Sequence, residues 1–229
     1  MTQTKYVVGA GGGGGKGGGG RSTPTEADDT LQSTQFANVL DLISEGEIGG
    51  LEDGNKSIFL DDTPVQAADG TNNFEGFTVV TRVGTQGQTH LAGPFNTTER
   101  ETAVGVEVTN GSSVTRQITD TDVDRLRVTL TIPSLQVLED DGDIVGNSVQ
   151  IKIQIQYNNG GYNDVITDTI SGKSSNRYQR DYLVNLTGSF PVDVRMVRVS
   201  ADETSQKRAS STIFQSFTEI IDDKFRYPN

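Results

Sequence analysis

The sequence predicts a mainly β protein: an antiparallel β-sandwich of the immunoglobulin or fibronectin-III kind, inserted into a smaller β-rich domain. Three observations carry the β-sandwich part of that prediction. In Ser148–Tyr157, Val149, Ile151, Ile153, Ile155 and Tyr157 alternate with Gln150, Lys152, Gln154 and Gln156. A period of two puts every apolar side chain on one face of a pleated strand, as in a half-buried antiparallel sheet. Asn158-Asn159-Gly160-Gly161 follow, residue types that accept positive φ, and a new run starts at Tyr162, so the pair reads as a hairpin. From Phe74 onward, short apolar runs recur between Gly, Asn, Asp and Ser clusters, the texture of a sandwich or barrel.

Taken in order, the chain opens with an almost pure glycine stretch from Gly9 to Gly20, broken by Ala10 and Lys16. Such a stretch cannot offset its backbone entropy by burying side chains, so residues 1–24 read as a flexible arm. The arm is basic, with Lys5, Lys16 and Arg21 facing no acid before Glu26. A phosphate-cradling loop would need Gly where Ala10 stands and Ser or Thr where Gly17 stands. In Ser33–Gln66, Phe36, Val39, Leu40 and Ile43 fit helical spacing better than strand spacing. Glycines 46, 49, 50 and 54 forbid a long helix, and the segment reads as two short strands or a helix–strand pair.

Strands are expected at Phe77–Val83, Val104–Val108, Val114–Ile118, Leu126–Ile132, Val149–Tyr157, Val165–Ile170, Tyr182–Leu186 and Val192–Val199. Leu126–Ile132 alternates nearly as regularly as the central strand and is expected beside it. The apolar phase of Val192–Val199 switches between Met196 and Val197, which suggests a bulge or a bent edge strand. Ala201–Ser211 reads as a linker. Ile213, Phe214, Phe217, Ile220 and Ile221 then resume apolar character and are expected to pair with the Ser33–Gln66 region.

Length and composition narrow the function. The chain has 229 residues, enough for one good core or a core with an appendage. A net charge of −12 repels nucleic-acid phosphates, so a sequence reader is not expected. There is no cysteine, and His90 is the lone histidine, which limits thiol, metal and acid–base chemistry. Tyr6-Val7-Val8 dissolves into glycine, so neither a signal peptide nor a membrane span is expected. Asp120, Asp122 and Asp124 have the spacing of a calcium loop, but Arg125 replaces its glycine and Thr131 its closing glutamate. Glu139, Asp140, Asp141 and Asp143 around Gly142 read as a solvated acidic loop. With no tryptophan for sugar stacking and no cue for a triad at His90, no enzyme site, metal or cofactor is expected.

Several stretches resemble the N-terminal part of the tail-tip attachment protein J, or host-specificity protein, family of lambda-like siphophages. They are Ser33-Thr34-Gln35, Asp41–Gly46, Ser57–Val65, Thr78-Val79-Val80, Ile118–Arg127, Ile170–Lys173, Arg195–Arg198, Thr218–Asp222 and Tyr227-Pro228-Asn229. The resemblance implies a virion component, assembled in the host cytoplasm, that forms a homotrimeric hub joining tail tube to fibre and opens for DNA ejection. Its partners would be distal tail, tail-tip and tape-measure proteins, with genomic DNA passing unbound, no small-molecule substrate and no membrane insertion by this segment. Family members continue well beyond the position of Asn229, and host binding belongs to that far region, so receptor recognition is not carried over. On this reading residues 25–73 and 206–229 build the hub domain and 74–205 the inserted sandwich. Candidate partner contacts are Lys5, Lys16 and Arg21 on the arm, then Phe36, Leu40, Ile43, Phe214 and Phe217. A rival reading is a free-standing sandwich that binds host carbohydrate.

Overall fold

The computed structural model describes residues 23–34, 36–89, 91 and 94–223. The basic arm with Lys5, Lys16 and Arg21, the lone His90, and Tyr227-Pro228-Asn229 lie outside the described residues. The first regular elements belong to a small knob. A short 3-10 turn at Gly54–Ser57 leads into β1 (Phe59–Leu60) and β2 (Thr63–Pro64), which pair antiparallel. Asp61 and Asp62 between them both have positive φ, the geometry of a tight two-residue hairpin. Val65 is the buried centre of the knob, and its backbone bonds to Ile58 and Asn73.

Two four-stranded antiparallel sheets form the sandwich. The first has the order β10-β5-β13-β3, with β3 at Thr97–Glu107, β5 at Arg125–Ile132, β10 at Tyr178–Asn185 and β13 at Ile213–Asp222. The second has the order β4-β11-β8-β9, with β4 at Val114–Ile118, β8 at Asn147–Tyr157, β9 at Tyr162–Gly172 and β11 at Val192–Arg198. A three-stranded flap, β12-β6-β7, joins β6 (Gln136–Leu138), β7 (Ile144–Val145) and β12 (Arg208–Ala209). The expected β8–β9 hairpin forms, with Asn158, Asn159 and Gly161 at positive φ.

Alternation decides what each sheet buries. Val149, Ile151, Ile153 and Ile155 of β8 and Leu126, Val128, Leu130 and Ile132 of β5 are fully buried in one shared core. The polar positions of β8 lie on the outer face, where Lys152 and Gln154 both reach Asp164 and Gln156 reaches Asp193. Arg195, also on that face, lies over the Tyr162 ring at 3.6 Å from its centroid.

Six expectations change. β5 is not beside β8 but in the opposite sheet; the neighbours of β8 are β11 and β9, because periodicity fixes a face and not a partner. Phe77–Val83 and residues 36–43 adopt neither strand nor helix. β11 has no phase switch: Val192, Val194, Met196 and Arg198 all point inward, and the last of these is charged. Residues 201–211 are not a free linker, because the buried Arg198 donates to Ala201 O and Ser200 O, to Ser210 O and Oγ, and to Thr212 Oγ1, and pairs with Asp202. Glu203 holds the same loop to Asn147, Ser210 and Arg208. Finally, β13 does not pair with 33–66. It is an inner strand of the first sheet, with Phe214 and Phe217 in the sandwich core, because its long apolar run is best buried between β5 and β3.

Ile153→Asp puts an uncompensated carboxylate into this core, at a cost of at least about 4 kcal/mol against a total stability of about 5–15 kcal/mol. The expected result is loss of the cooperative thermal transition in circular dichroism; a melt close to the parent's would refute the assigned register.

Candidate partner interface

Residues 23–33 form an irregular strap across the side of the sandwich where β9 and β10 are neighbours. Its first part widens the flap: Glu26 bridges Ile144 in parallel, Ala27 N donates to Ile144 O at 2.9 Å, and Ile144 N donates to Thr25 O at 2.9 Å. The next part lies on the turn after β9. Thr30 N and Leu31 N both donate to Lys173 O, at 2.9 and 3.0 Å, and Lys173 N donates to Thr30 Oγ1 at 2.9 Å. Leu31 packs against the core, and Ser33 Oγ accepts from Gln179 N at 2.8 Å. Gly172 has φ +145°, and a Cβ there would stand 2.6 Å from Thr30 Oγ1 and 2.9 Å from Leu31 Cγ. Only glycine lets the strap approach this closely.

Side chains lock the strap in place. Lys173 is 3% exposed, and its Nζ donates to Glu26 Oε1 at 2.7 Å and Asp29 Oδ1 at 2.8 Å. A buried ammonium is unfavourable unless paired, and here the strap supplies both partners. Asp29 also accepts from Ser175 N at 3.0 Å and Ser175 Oγ at 2.6 Å. The Lys173 ammonium first, and then the Ser175 donors, hold the Asp29 carboxyl down at about 2. Asp29 first, and then Glu26, push the Lys173 ammonium up from its ordinary value. On the same side, Asp168 of β9 accepts from Tyr182 Oη at 2.7 Å and Arg180 Nη1 at 2.8 Å of β10, tying the sheet edges together. Burial, and then Asp168, push the Tyr182 hydroxyl up, so it stays a donor.

Beyond the strap the character reverses. Phe36 is 84% exposed, Val39 74%, Leu40 56%, Leu42 86% and Ile43 70%, all within eight residues that adopt no regular structure. Asn38, in the middle of the run, lines a shallow depression on the outer face of the first sheet with Arg125, Arg127, Asp181 and Ile220. A contiguous apolar run left in water is the pattern expected of an interaction surface, which makes this run the candidate. The sequence singled out Phe36, Leu40 and Ile43, and they lie here with Val39 and Leu42. Phe214 and Phe217 do not join them, being core residues. The lock itself was not legible: Lys173 sits in the Ile170–Lys173 stretch, but Glu26 and Asp29 lie 147 and 144 residues away in sequence.

The acidic stretches serve local structure. Asp143 Oδ1 accepts from Thr25 N at 2.7 Å, Asp140 pairs with Lys207, and Asp124 Oδ2 accepts from Asp222 N. Among the described residues no group of three or more His, Cys, Asp or Glu is placed to hold a metal ion. No helix among them is long and apolar enough to cross a membrane.

A family model described as tip attachment protein J, FNIII-A domain, matches residues 98–223, which is the span of the sandwich from β3 to β13. The chain is 39% identical over 211 residues to a tip attachment protein J of Escherichia phage SECphi4, covering 90% of this chain and 18% of that protein. It is 34% identical over 206 residues to one of Escherichia phage SECphi27, covering 90% and 17%. The chain thus spans less than a fifth of the length of these relatives. A solved family GH115 4-O-methyl-alpha-glucuronidase overlaps 62% of this chain and 19% of its own at 11% identity, with a TM-score of 0.32, which carries no argument.

The lock makes docking of the strap pH-dependent in a defined sense. A carboxylate with a lowered pKa supports docking fully above its ordinary 3.8, and that support is lost as the pH falls toward about 2. A lysine with a raised pKa supports it fully below its ordinary 10.5 and loses it on further alkalinisation. The protection factors of the Thr30 and Leu31 amides, their exchange measured against an unstructured amide at the same pH, should therefore be largest between those limits, and Lys173→Met should remove the protection at neutral pH while the sandwich amides stay protected. Unchanged protection in the variant would show that the ion pairs do not hold the strap.

Proposed function

Because the chain belongs to the tip attachment protein J family, with residues 98–223 as its FNIII-A domain, we propose that it is a structural component of a siphophage tail tip. It forms the N-terminal part of the central hub that connects tail tube to fibre and takes part in host attachment and DNA ejection. The observation that supports a role by assembly is the run Phe36–Ile43, whose apolar side chains have no place in the single chain. In this reading the sandwich projects from the hub, the strap fixes where the open run leaves its surface, and the run is covered by neighbours. Those neighbours are other copies in a homotrimer, together with distal tail, tail-tip and tape-measure proteins. The basic arm docks on an acidic tail protein, and the net charge of −12 lets genomic DNA pass without sticking. The chain works in the virion after assembly in the host cytoplasm, as a part and not as a catalyst.

Phe36→Asp with Leu42→Asp in the phage tests this. Each lost anchor weakens an interface by about 2 kcal/mol, so the pair lowers affinity by roughly 1,000-fold. The purified variant should melt within a few degrees of the parent, since both side chains are exposed, while tails lack the chain and infectivity collapses. Normal tails carrying the variant would overturn the proposal.

A further inference from the structure

Two features of the chain point in opposite directions. The strap is over-determined: its backbone, two carboxylates and Leu31 all find partners in residues 142–179 of the sandwich. The segment just after it is under-packed, with five large apolar side chains in water and no regular structure. Among the described residues after Ser33, Ile48, whose N donates to Val83 O at 2.9 Å, is where the backbone next bonds to another segment. Between Ser33 and Ile48, residues 34–47 reach up to about 48 Å when extended, at roughly 3.4 Å per residue. That is enough to carry the strap to an adjacent sandwich.

We infer that the strap is an exchange element: in the assembled hub, residues 24–33 of one copy seat in the cradle made by Gly172, Lys173, Ser175 and Gln179 of a second copy of this chain. Exchange leaves every strap contact unchanged, because the cradle is the same on each copy. What changes is the connection. Residues 36–43 are drawn into the boundary between copies, where Phe36, Val39, Leu40, Leu42 and Ile43 cover one another and the neighbouring sandwich. Seating within one chain has the advantage of a tether, equivalent to a high effective concentration. Burial of the open run opposes that advantage and tips the balance toward exchange. The same burial accounts for why an apolar run is placed immediately after a segment that is firmly anchored. The inference rests on the tail-tip reading for the presence of neighbouring copies, and its geometry comes from the cradle.

The chain has no cysteine, which makes a disulfide test clean. Ser33→Cys with Gln179→Cys places thiols where Ser33 Oγ now meets Gln179 N at 2.8 Å and leaves the Lys173 ion pairs intact. Asp29→Cys with Ser175→Cys is a second pair at an independent contact. After mild oxidation of the purified 229-residue chain and of intact tails, a non-reducing gel should show species at about two and three times 24.6 kDa for at least one pair. Mixing chains that carry only Ser33→Cys with chains that carry only Gln179→Cys should give a covalent dimer. Adding Leu40→Ser and Leu42→Ser should return the linked material to single-chain size. A disulfide closed within single chains, or no disulfide from either pair, overturns the exchange. Blotting the same tails separates the two ideas: chain present in tails with only internal disulfides removes the exchange and leaves the tail-tip reading standing, whereas chain absent from tails removes that reading.

Discussion

The rest of the structure depends on one contact layer, the meeting of the inner rows of β5 and β8. Eight branched aliphatic side chains, four from each strand, are withdrawn completely from water. Each contributes about 1.5–3 kcal/mol before chain entropy is subtracted, and none brings a polar atom that needs a partner. Around this layer Val192, Val194, Met196, Phe214 and Phe217 complete the core. The outer faces then have only to remain wet, and the glutamines, Lys152, Arg195 and the aspartates of the second sheet do so while tying neighbouring strands together.

Irregular segments are attached to this core by two buried cations. Arg198 continues the inward phase of β11 and spends its guanidinium on the 200–212 loop. Lys173, at the end of β9, does the same for the strap through Glu26 and Asp29. In each case a charge that would destabilise the interior alone becomes a specific fastening, because removing its partners leaves it buried and unpaired. Loops that look like linkers by composition are thereby given fixed positions, and the fixed strap determines where the open apolar run begins.

Much of the fold was legible in the sequence, for a physical reason. Side-chain alternation is a local consequence of the pleat, so Val149–Tyr157 and the turn at Asn158–Gly161 could be read directly. Which strand lies beside which is a non-local choice, and nothing in Leu126–Ile132 says that it faces β8 across the core. Ile213–Asp222 was likewise legible as apolar but not as an inner sandwich strand. Residues 36–43 have helical spacing, yet spacing yields a helix only where something covers the apolar stripe, and a single chain offers nothing there. Of the candidate interface, Phe36, Leu40 and Ile43 came from that same pattern. The Lys173 lock did not, since two acids more than a hundred residues away have no sequence signature as partners.

The proposed function has neighbours complete a chain that has a well-packed sandwich, a fastened strap and a bare apolar run. The most direct measurement is hydroxyl-radical footprinting of Phe36 and Leu42 in the chain diluted until it is a monomer and in assembled tails. The account predicts strong labelling of both in the monomer and suppressed labelling in tails, with Val165 of the second sheet as an exposed reference. Equal labelling of Phe36 and Leu42 in the two states would contradict it.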